Sequence, residues 1–188
     1  MKKLAIYLNN LMPFNETELE ALSGLFKEKR FTKGQFFARE GEYARYFAFV
    51  NEGVLRAFFR TDKGEEYNKT FFTPNNFTGA YSSLITGQKN RINIQCLTDT
   101  VLLVGDFQQF TVLFDSYPGI ERLARILAEQ FFVVKERREI QLVTLEANER
   151  YELFKNEHPD LEQQIPQYHI ASYLGITPTQ LSRIRAKN

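Results

Sequence analysis

The chain has 188 residues, 43% hydrophobic and 25% charged, with 24 Lys and Arg against 23 Asp and Glu and a formal charge of +1. That is enough material for one domain or two small ones with a sizeable core, and the near balance means that any polyanion site must arise from local asymmetry. A lone cysteine, Cys96, excludes an intramolecular disulfide framework and a Cys-cluster metal site, while the lack of a leader pattern or of an apolar run near the ~20 residues of a membrane span leaves a cytoplasmic protein without membrane contact as the expectation.

Residues 1–29 are expected to be helical and peripheral. Leu4, Leu8 and Leu11 share one face, and Leu19, Leu22, Leu25 and Phe26 repeat the pattern after Asn15, a natural N-cap followed by acids. Residues 30–110 read as short strands: Gly34, Gly41, Gly53 and Gly64 punctuate runs rich in Phe, Tyr and Val, and "TDKG" at 61–64 is a hairpin tip. "RINIQCLTDTVLLVGDF" adds further strands.

Residues 118–145 carry no breaker after Gly119. Ile120, Leu123, Leu127, Phe131, Val134, Arg138, Gln141 and Leu145 fall at three- and four-residue steps, close to a 3.5-residue period that decays into polar residues. The stripe predicts one long helix that either packs on its own domain or meets a second copy of itself. Ile120, Leu123, Leu127, Phe131 and Val134 are then the candidate dimer residues, with a homodimer as the expected partner.

The remainder, 146–188, is helical again. Six acids lie in 146–162, whereas no acid follows Gln163 and Arg183, Arg185 and Lys187 close the chain. "IPQYHIASYLGITPTQLSRIRAKN" fits a helix-turn-helix. Pro166 suits a helix start, Ile170, Ala171 and Leu174 line one face, and Gly175 takes the left-handed position at the helix end. Thr177, Pro178 and Gln180 make a Thr-Pro start with a capping box. Left outward are Thr177, Thr179, Gln180, Ser182, Arg183 and Arg185, the side-chain types that bond base edges and phosphates. A helical hairpin that merely ends the fold is the contrasting reading.

With those residues in hand, the chain from about residue 10 onward resembles the cyclic-AMP receptor protein/FNR (CRP/FNR) family of bacterial transcription regulators. "FTKGQFFAREGEYARYFAFVNEGVLRAFFRTDKGEE" is similar to that family's β-roll, and the long helix and helix-turn-helix follow in the family's order. The resemblance implies an α+β chain in three parts: a double-stranded β-helix (jelly-roll) sensor over 1–117, a dimerisation helix over 118–145 and a DNA-binding domain over 146–188. It also implies a ligand cassette. Where the family carries Gly-Glu this chain has Gly79 and Ala80, followed by Tyr81; where the family carries Arg-Ser/Thr-Ala it has Asn90, Arg91 and Ile92. The acceptor for a ribose hydroxyl is therefore missing, which costs roughly 1–3 kcal/mol, and another small effector, or none, is expected instead of cyclic AMP. No iron–sulfur, haem or metal cofactor is expected, since Cys96 stands alone and His158 and His169 lie outside the sensor. The family's β-hairpin wing is missing after the recognition helix, so a wingless reader is expected, with dimer avidity compensating for lost phosphate contacts.

The functional expectation is a homodimeric regulator on near-palindromic double-stranded DNA, with RNA polymerase as a further partner if it activates. A sensor or scaffold that binds a ligand or protein and no longer binds DNA is the alternative. An enzyme is not expected: residues 30–110 hold no histidine, and there is no Ser-His-Asp set, Walker loop or Gly-rich dinucleotide turn.

Overall fold

The computed structural model describes residues 1–186, so Lys187 lies outside the described residues. Helices α1 (Lys2–Leu11) and α2 (Glu16–Leu25) open the chain. Strands β1 (Lys27–Phe31), β2 (Phe36–Ala38), β3 (Tyr46–Glu52), β4 (Leu55–Arg60), β5 (Glu66–Phe72) and β6 (Phe77–Gly79) follow. After α3 (Tyr81–Thr86) come β7 (Asn93–Cys96) and β8 (Thr100–Asp106). The strands form two four-stranded sheets in the orders β1-β8-β3-β6 and β2-β7-β4-β5, the arrangement expected of a jelly roll. Thr61 N–H bonds Glu65 O at 2.9 Å and Gly64 N–H bonds Thr61 O at 2.8 Å, closing the expected tip between β4 and β5.

The chain continues through α4 (Phe107–Val112), a 3₁₀ turn at Leu113–Asp115, the long α5 (Pro118–Thr144), α6 (Ala147–Glu157), α7 (Leu161–Gln164), α8 (Gln167–Leu174) and α9 (Pro178–Arg185). Two compact units result. One comprises residues 1–57 and 71–129; the other comprises 58–70 and the chain from 130 onward. The distal half of the β4–β5 hairpin thus belongs with the C-terminal helices.

In the first unit the sheets enclose Ala48, Val50, Leu55, Ala57, Phe72, Ile94, Cys96, Leu102 and Val104. Burial raises the pKa of the Cys96 thiol, with a bond to Thr100 opposing it, as suits a packing residue. A second core forms on the other face of β3 and β8, where Leu4, Leu8, Met12, Leu22 and Phe26 meet Phe47, Phe49, Leu103 and Phe110. The N-terminal helices are therefore not peripheral: Leu4 and Leu8 are 1% and 2% exposed. The Leu stripe that marks an amphipathic helix says nothing about how much of the core that helix supplies.

Glu18 ties this core to the long helix. Asn15 and Glu18 form a capping box, with Asn15 Oδ1 accepting from Glu18 N–H at 2.8 Å and Glu18 Oε2 accepting from Asn15 N–H at 3.1 Å. Glu18 Oε1 then accepts from Gly119 N–H at 2.9 Å, which sets a carboxylate at the positive end of α5. A Cβ at Gly119 would stand 2.3 Å from that oxygen, so a side chain here would displace the carboxylate from its bond to the helix N-terminus.

Candidate nucleic-acid interface

Ile176 and Thr177 connect α8 to α9. Gly175 sits at φ +70, where α8 ends left-handed, a conformation that costs an L-residue roughly 1–2 kcal/mol. Thr177 caps α9: its Oγ1 accepts from Gln180 N–H at 3.2 Å, Gln180 Oε1 accepts from Thr177 N–H at 2.9 Å, and Pro178 holds the first helical position. Leu181 is fully buried, whereas Thr177, Thr179, Gln180, Ser182, Arg183 and Arg185 are exposed.

These six residues are not equivalent. The Gln180 carbonyl oxygen is occupied by Thr177, through both its N–H and its hydroxyl at 3.1 Å. Only the amide NH₂ remains, so the two-point adenine contact open to a free glutamine requires breaking the cap. Arg185 is held by Glu162, whose Oε1 lies 3.4 Å from its Nε and accepts from the Tyr151 hydroxyl at 2.8 Å. Burial raises the Tyr151 pKa, and Glu162 raises it further. Arg183 has no ion pair among the described residues and points outward with Thr179 and Ser182.

The helix that supports α9 is gripped at its last turn by three separate elements. Ser172 Oγ donates to Glu66 O at 2.7 Å and accepts from Asn68 N–H at 3.0 Å, pairing two backbone groups of the edge strand β5 as a neighbouring strand would. Asn68 Nδ2 donates to His169 O at 2.9 Å, and both residues are buried. Arg138, from α5, donates to Tyr173 O with its guanidinium 3.9 Å from the Tyr173 ring centre. Arg150, from α6, donates to Leu174 O at 3.0 Å and also to Leu145 O. Two cations thus cover the negative end of α8, where the last carbonyls lack intrahelical donors. Burial lowers the Arg138 pKa, which Tyr173 and Glu157 partly offset.

Sequence reading missed Asn68, Ser172, Arg150 and Glu162, and took Arg138 for the fading end of a stripe. The stripe also needs correction. Ile120 and Leu123 are 0% and 1% exposed, packed in the chain's own second core, with Leu127 partly buried against it, so they are not open to a second copy. The exposed apolar residues come later: Phe131, Phe132, Val133, Val134, Ile140, Leu142 and Val143.

The cassette positions differ in exposure. Ala80 is buried at the start of α3, beside Gly79, and Tyr81 is exposed. Asn90 is 6% exposed and committed. Its Nδ2 donates to Arg39 O at 3.2 Å and to Ile92 O, its Oδ1 accepts from Ile92 N–H at 3.2 Å, and its backbone bonds Gly41 and Glu42 at 2.8 Å. Arg91 is exposed, while Ile92 packs towards the roll interior. Asn90 therefore stitches residues 39–42 to the loop before β7, where the family's arginine would meet a phosphate. Among the described residues no group of three or more His, Cys, Asp or Glu could hold a metal ion, and no helix is long and apolar enough to cross a membrane.

Residues 28–117 match the family model of the cyclic nucleotide-binding domain. Comparison with curated proteins found no match. Among solved structures, FixK2 from Bradyrhizobium japonicum is similar with a TM-score of 0.75 and 18% identity, over 86% of this chain and 83% of that one. CLP from Xanthomonas campestris, a c-di-GMP-responsive global regulator, has a TM-score of 0.72 and 16% identity, over 92% and 91%. A protein from Eubacterium rectale, named as a transcriptional regulator of the crp/fnr family, has 0.71 and 17%, over 93% and 85%.

Proposed function

We propose that this chain, whose residues 28–117 form a domain of the cyclic nucleotide-binding family and whose fold is that of the CRP/FNR regulators, is a dimeric transcription regulator that reads double-stranded DNA with α9. The observation that carries this reading is the capped, outward-facing α9. Its N-terminus is set by the Thr177–Gln180 box, its base is buried through Leu181, and Thr179, Ser182 and Arg183 lie on its exposed side. Helix N-termini and hydroxyls meet phosphates, and an unpaired arginine reaches guanine. Arg183 is the principal contact in this reading. Gln180 and Arg185 are secondary, because each is already engaged within the chain.

The dimer reading rests on the exposed apolar run of α5 from Phe131 onward, with Phe131 and Val134 kept from the original stripe. Two copies would present recognition helices about 34 Å apart to a near-palindromic site. The three-part division at 117/118 and 145/146 serves as a functional division within this reading. The effector is not a cyclic nucleotide bound in the usual cassette, since Ala80 offers no ribose acceptor and Asn90 has its amide committed.

The test is selection from random duplex DNA, followed by anisotropy titrations across salt. A two-fold site whose affinity falls steeply with salt and is lost in Arg183→Ala supports the reading. Recovery of no duplex at low salt overturns it and turns the helix pair into a surface for a protein partner.

A further inference from the structure

A cleft opens beside β1 and β2. It lies in the first unit, has a volume of about 530 Å³, and is lined by Lys29, Arg30, Phe31, Gln35, Phe36 and Arg39. The walls are β1 and β2, each an edge strand of its own sheet. We propose that this cleft is an effector site for a small, multiply charged phosphate ester bearing a planar ring, distinct from the cassette at Gly79–Ala80 and Asn90–Ile92.

Every polar side chain at the cleft presents donors. Lys29 brings an ammonium, and Arg30 and Arg39 bring guanidinium groups. Gln35 spends its Oε1 on Thr32 N–H at 2.8 Å, which leaves its amide NH₂. No acid is among the lining residues, and among the described residues the ion pair that touches them, Arg30 with Glu28 at 3.2 Å, has both side chains well exposed. Such a pair is worth at most about 1 kcal/mol and yields readily to a better anion. Three cations around a cleft with no acid among its lining residues favour a ligand with more than one negative charge. A cyclic monophosphate carries only one.

The apolar part is also organised. The Arg39 guanidinium stacks over the Phe36 ring, 4.0 Å from its centre. An arginine plane backed by an aromatic ring is a surface on which a planar group stacks. The volume falls within the range of about 300–1,000 Å³ usual for small-ligand sites.

The floor is rigid, so a ligand would not have to order it. Between the two strands, Gly34 N–H bonds Cys96 O and Cys96 N–H bonds Gln35 O, both at 2.8 Å. Lys33 N–H bonds Asp99 Oδ1 at 2.9 Å, and Gln95 Nε2 bonds Gly34 O at 3.1 Å. Arg39 is anchored by Asn90, whose Nδ2 bonds its carbonyl at 3.2 Å. The residue that closes the cassette thus also fixes the chain that carries the cleft's stacking arginine. A purely protective role for the cations, keeping edge strand β1 from pairing with other chains, explains Lys29 and Arg30. It does not explain the Arg39 guanidinium stacked on the Phe36 ring three residues back, at the start of β2.

The inference rests on the reading of the chain as a ligand-modulated regulator, but its test needs no DNA. Calorimetric titration of the full chain with ADP, pyrophosphate, adenosine and cyclic AMP reads binding directly. Expected is ADP binding at one site per chain, at least tenfold tighter than adenosine or cyclic AMP. Arg39→Ala should weaken it tenfold or more, and Arg39→Lys should recover only part because it restores charge without the stacking plane. Arg91→Ala, in the cassette, should leave it unchanged. Unchanged melting temperatures across the variants keep loss of binding separate from loss of fold. ADP that fails to bind at millimolar concentration, or binds Arg39→Ala as tightly as the parent chain, overturns the proposal and leaves the DNA reading standing. Displacement of ADP by short duplex DNA at equal phosphate concentration also overturns it and makes the cleft a backbone contact.

Discussion

Arg183 and Arg185 look alike in the sequence, yet the structure predicts opposite behaviour on DNA. Arg185 is bound to Glu162 at 3.4 Å, and the Tyr151 hydroxyl holds the same carboxylate oxygen at 2.8 Å. The Arg185 and Glu162 side chains are 38% and 21% exposed. At that separation the gross attraction is about 5 kcal/mol at an effective dielectric of 20, and exposed pairs retain about 0.2–1 kcal/mol net. A DNA phosphate competes with that net figure and also meets the repulsion of a carboxylate that cannot swing away. Arg185 should therefore release no counterion on binding. Each phosphate neutralised adds about 0.9 to the log–log salt slope, so Arg183→Ala should flatten it by about 1.8 per dimer while Arg185→Ala leaves it unchanged.

The sharper perturbation is Glu162→Gln, which keeps an acceptor for Tyr151 and removes the charge. It should steepen the slope by about 1.8 per dimer, an extra fall in affinity of about twelvefold between 50 and 200 mM salt. Adding Arg185→Ala to Glu162→Gln should return the slope to the parent value. Anisotropy titrations on one fixed duplex at five or more salt concentrations measure all four proteins. The reasoning fails if Glu162→Gln leaves the slope unchanged, or if Arg185→Ala alone flattens it as much as Arg183→Ala does.

Three further outcomes follow from the same unit. Ser172→Ala removes the two hydrogen bonds to Glu66 O and Asn68 N–H and, at about 0.5–1.5 kcal/mol each, should destabilise the unit by roughly 1–3 kcal/mol in urea titration; Ser172→Thr, which keeps the hydroxyl, should recover most of it, and equal losses would show that the hydroxyl is not what matters. Burial holds the His158 imidazole below its ordinary pKa of 6.5, with Glu157 raising it and Arg138 lowering it. The unfolded chain then takes up a proton that the folded chain refuses, so His158 costs stability as pH falls from about 6.5 towards its folded value, and no further below that; melts at pH 7.5 and 5.5 should show a smaller drop in His158→Gln, and parallel drops would refute this. Thr177→Ala removes the α9 cap and should cost about 1 kcal/mol of stability, with DNA affinity falling more than the helix content seen by circular dichroism.

What could be read from the sequence was mostly short-range. Asn15 as the N-cap of α2, Thr177 with Gln180, Gly175 at the end of α8 and the turn at Thr61–Gly64 each depend on residues within a few positions, and each forms as expected. The stripe from Ile120 onward identified a helix of the right length and an apolar face. Periodicity cannot say what covers that face, which is why Ile120 and Leu123 fell to the chain's own core. The grip on α8 was out of reach for a different reason. Ser172 and Asn68 are 104 positions apart, both are common polar residues, and only the sheet edge shows that one hydroxyl can satisfy two strand groups. Arg138 sits on the same helical stripe as the apolar residues because it too turns inward, to a carbonyl rather than to a side chain.

That grip bears on how the proposed DNA reading by α9 would be controlled. Ser172, Tyr173 and Leu174 are consecutive, and each is held by a different element: the β4–β5 hairpin, α5 and α6. The left-handed Gly175 comes next and leads through Ile176 to the cap of α9. A helix of eight residues, α8, cannot yield to one of these holds without loading the other two, because the three bonds fall within a single turn. A displacement of the hairpin and a displacement of α5 therefore reach α9 through the same turn, and their effects should not add. Combining Ser172→Ala with Arg138→Met tests this: coupling of at least 0.5 kcal/mol in DNA affinity marks one shared element, whereas simple additivity, as for distant sites, would mean that the hairpin and the long helix act on α9 by separate routes.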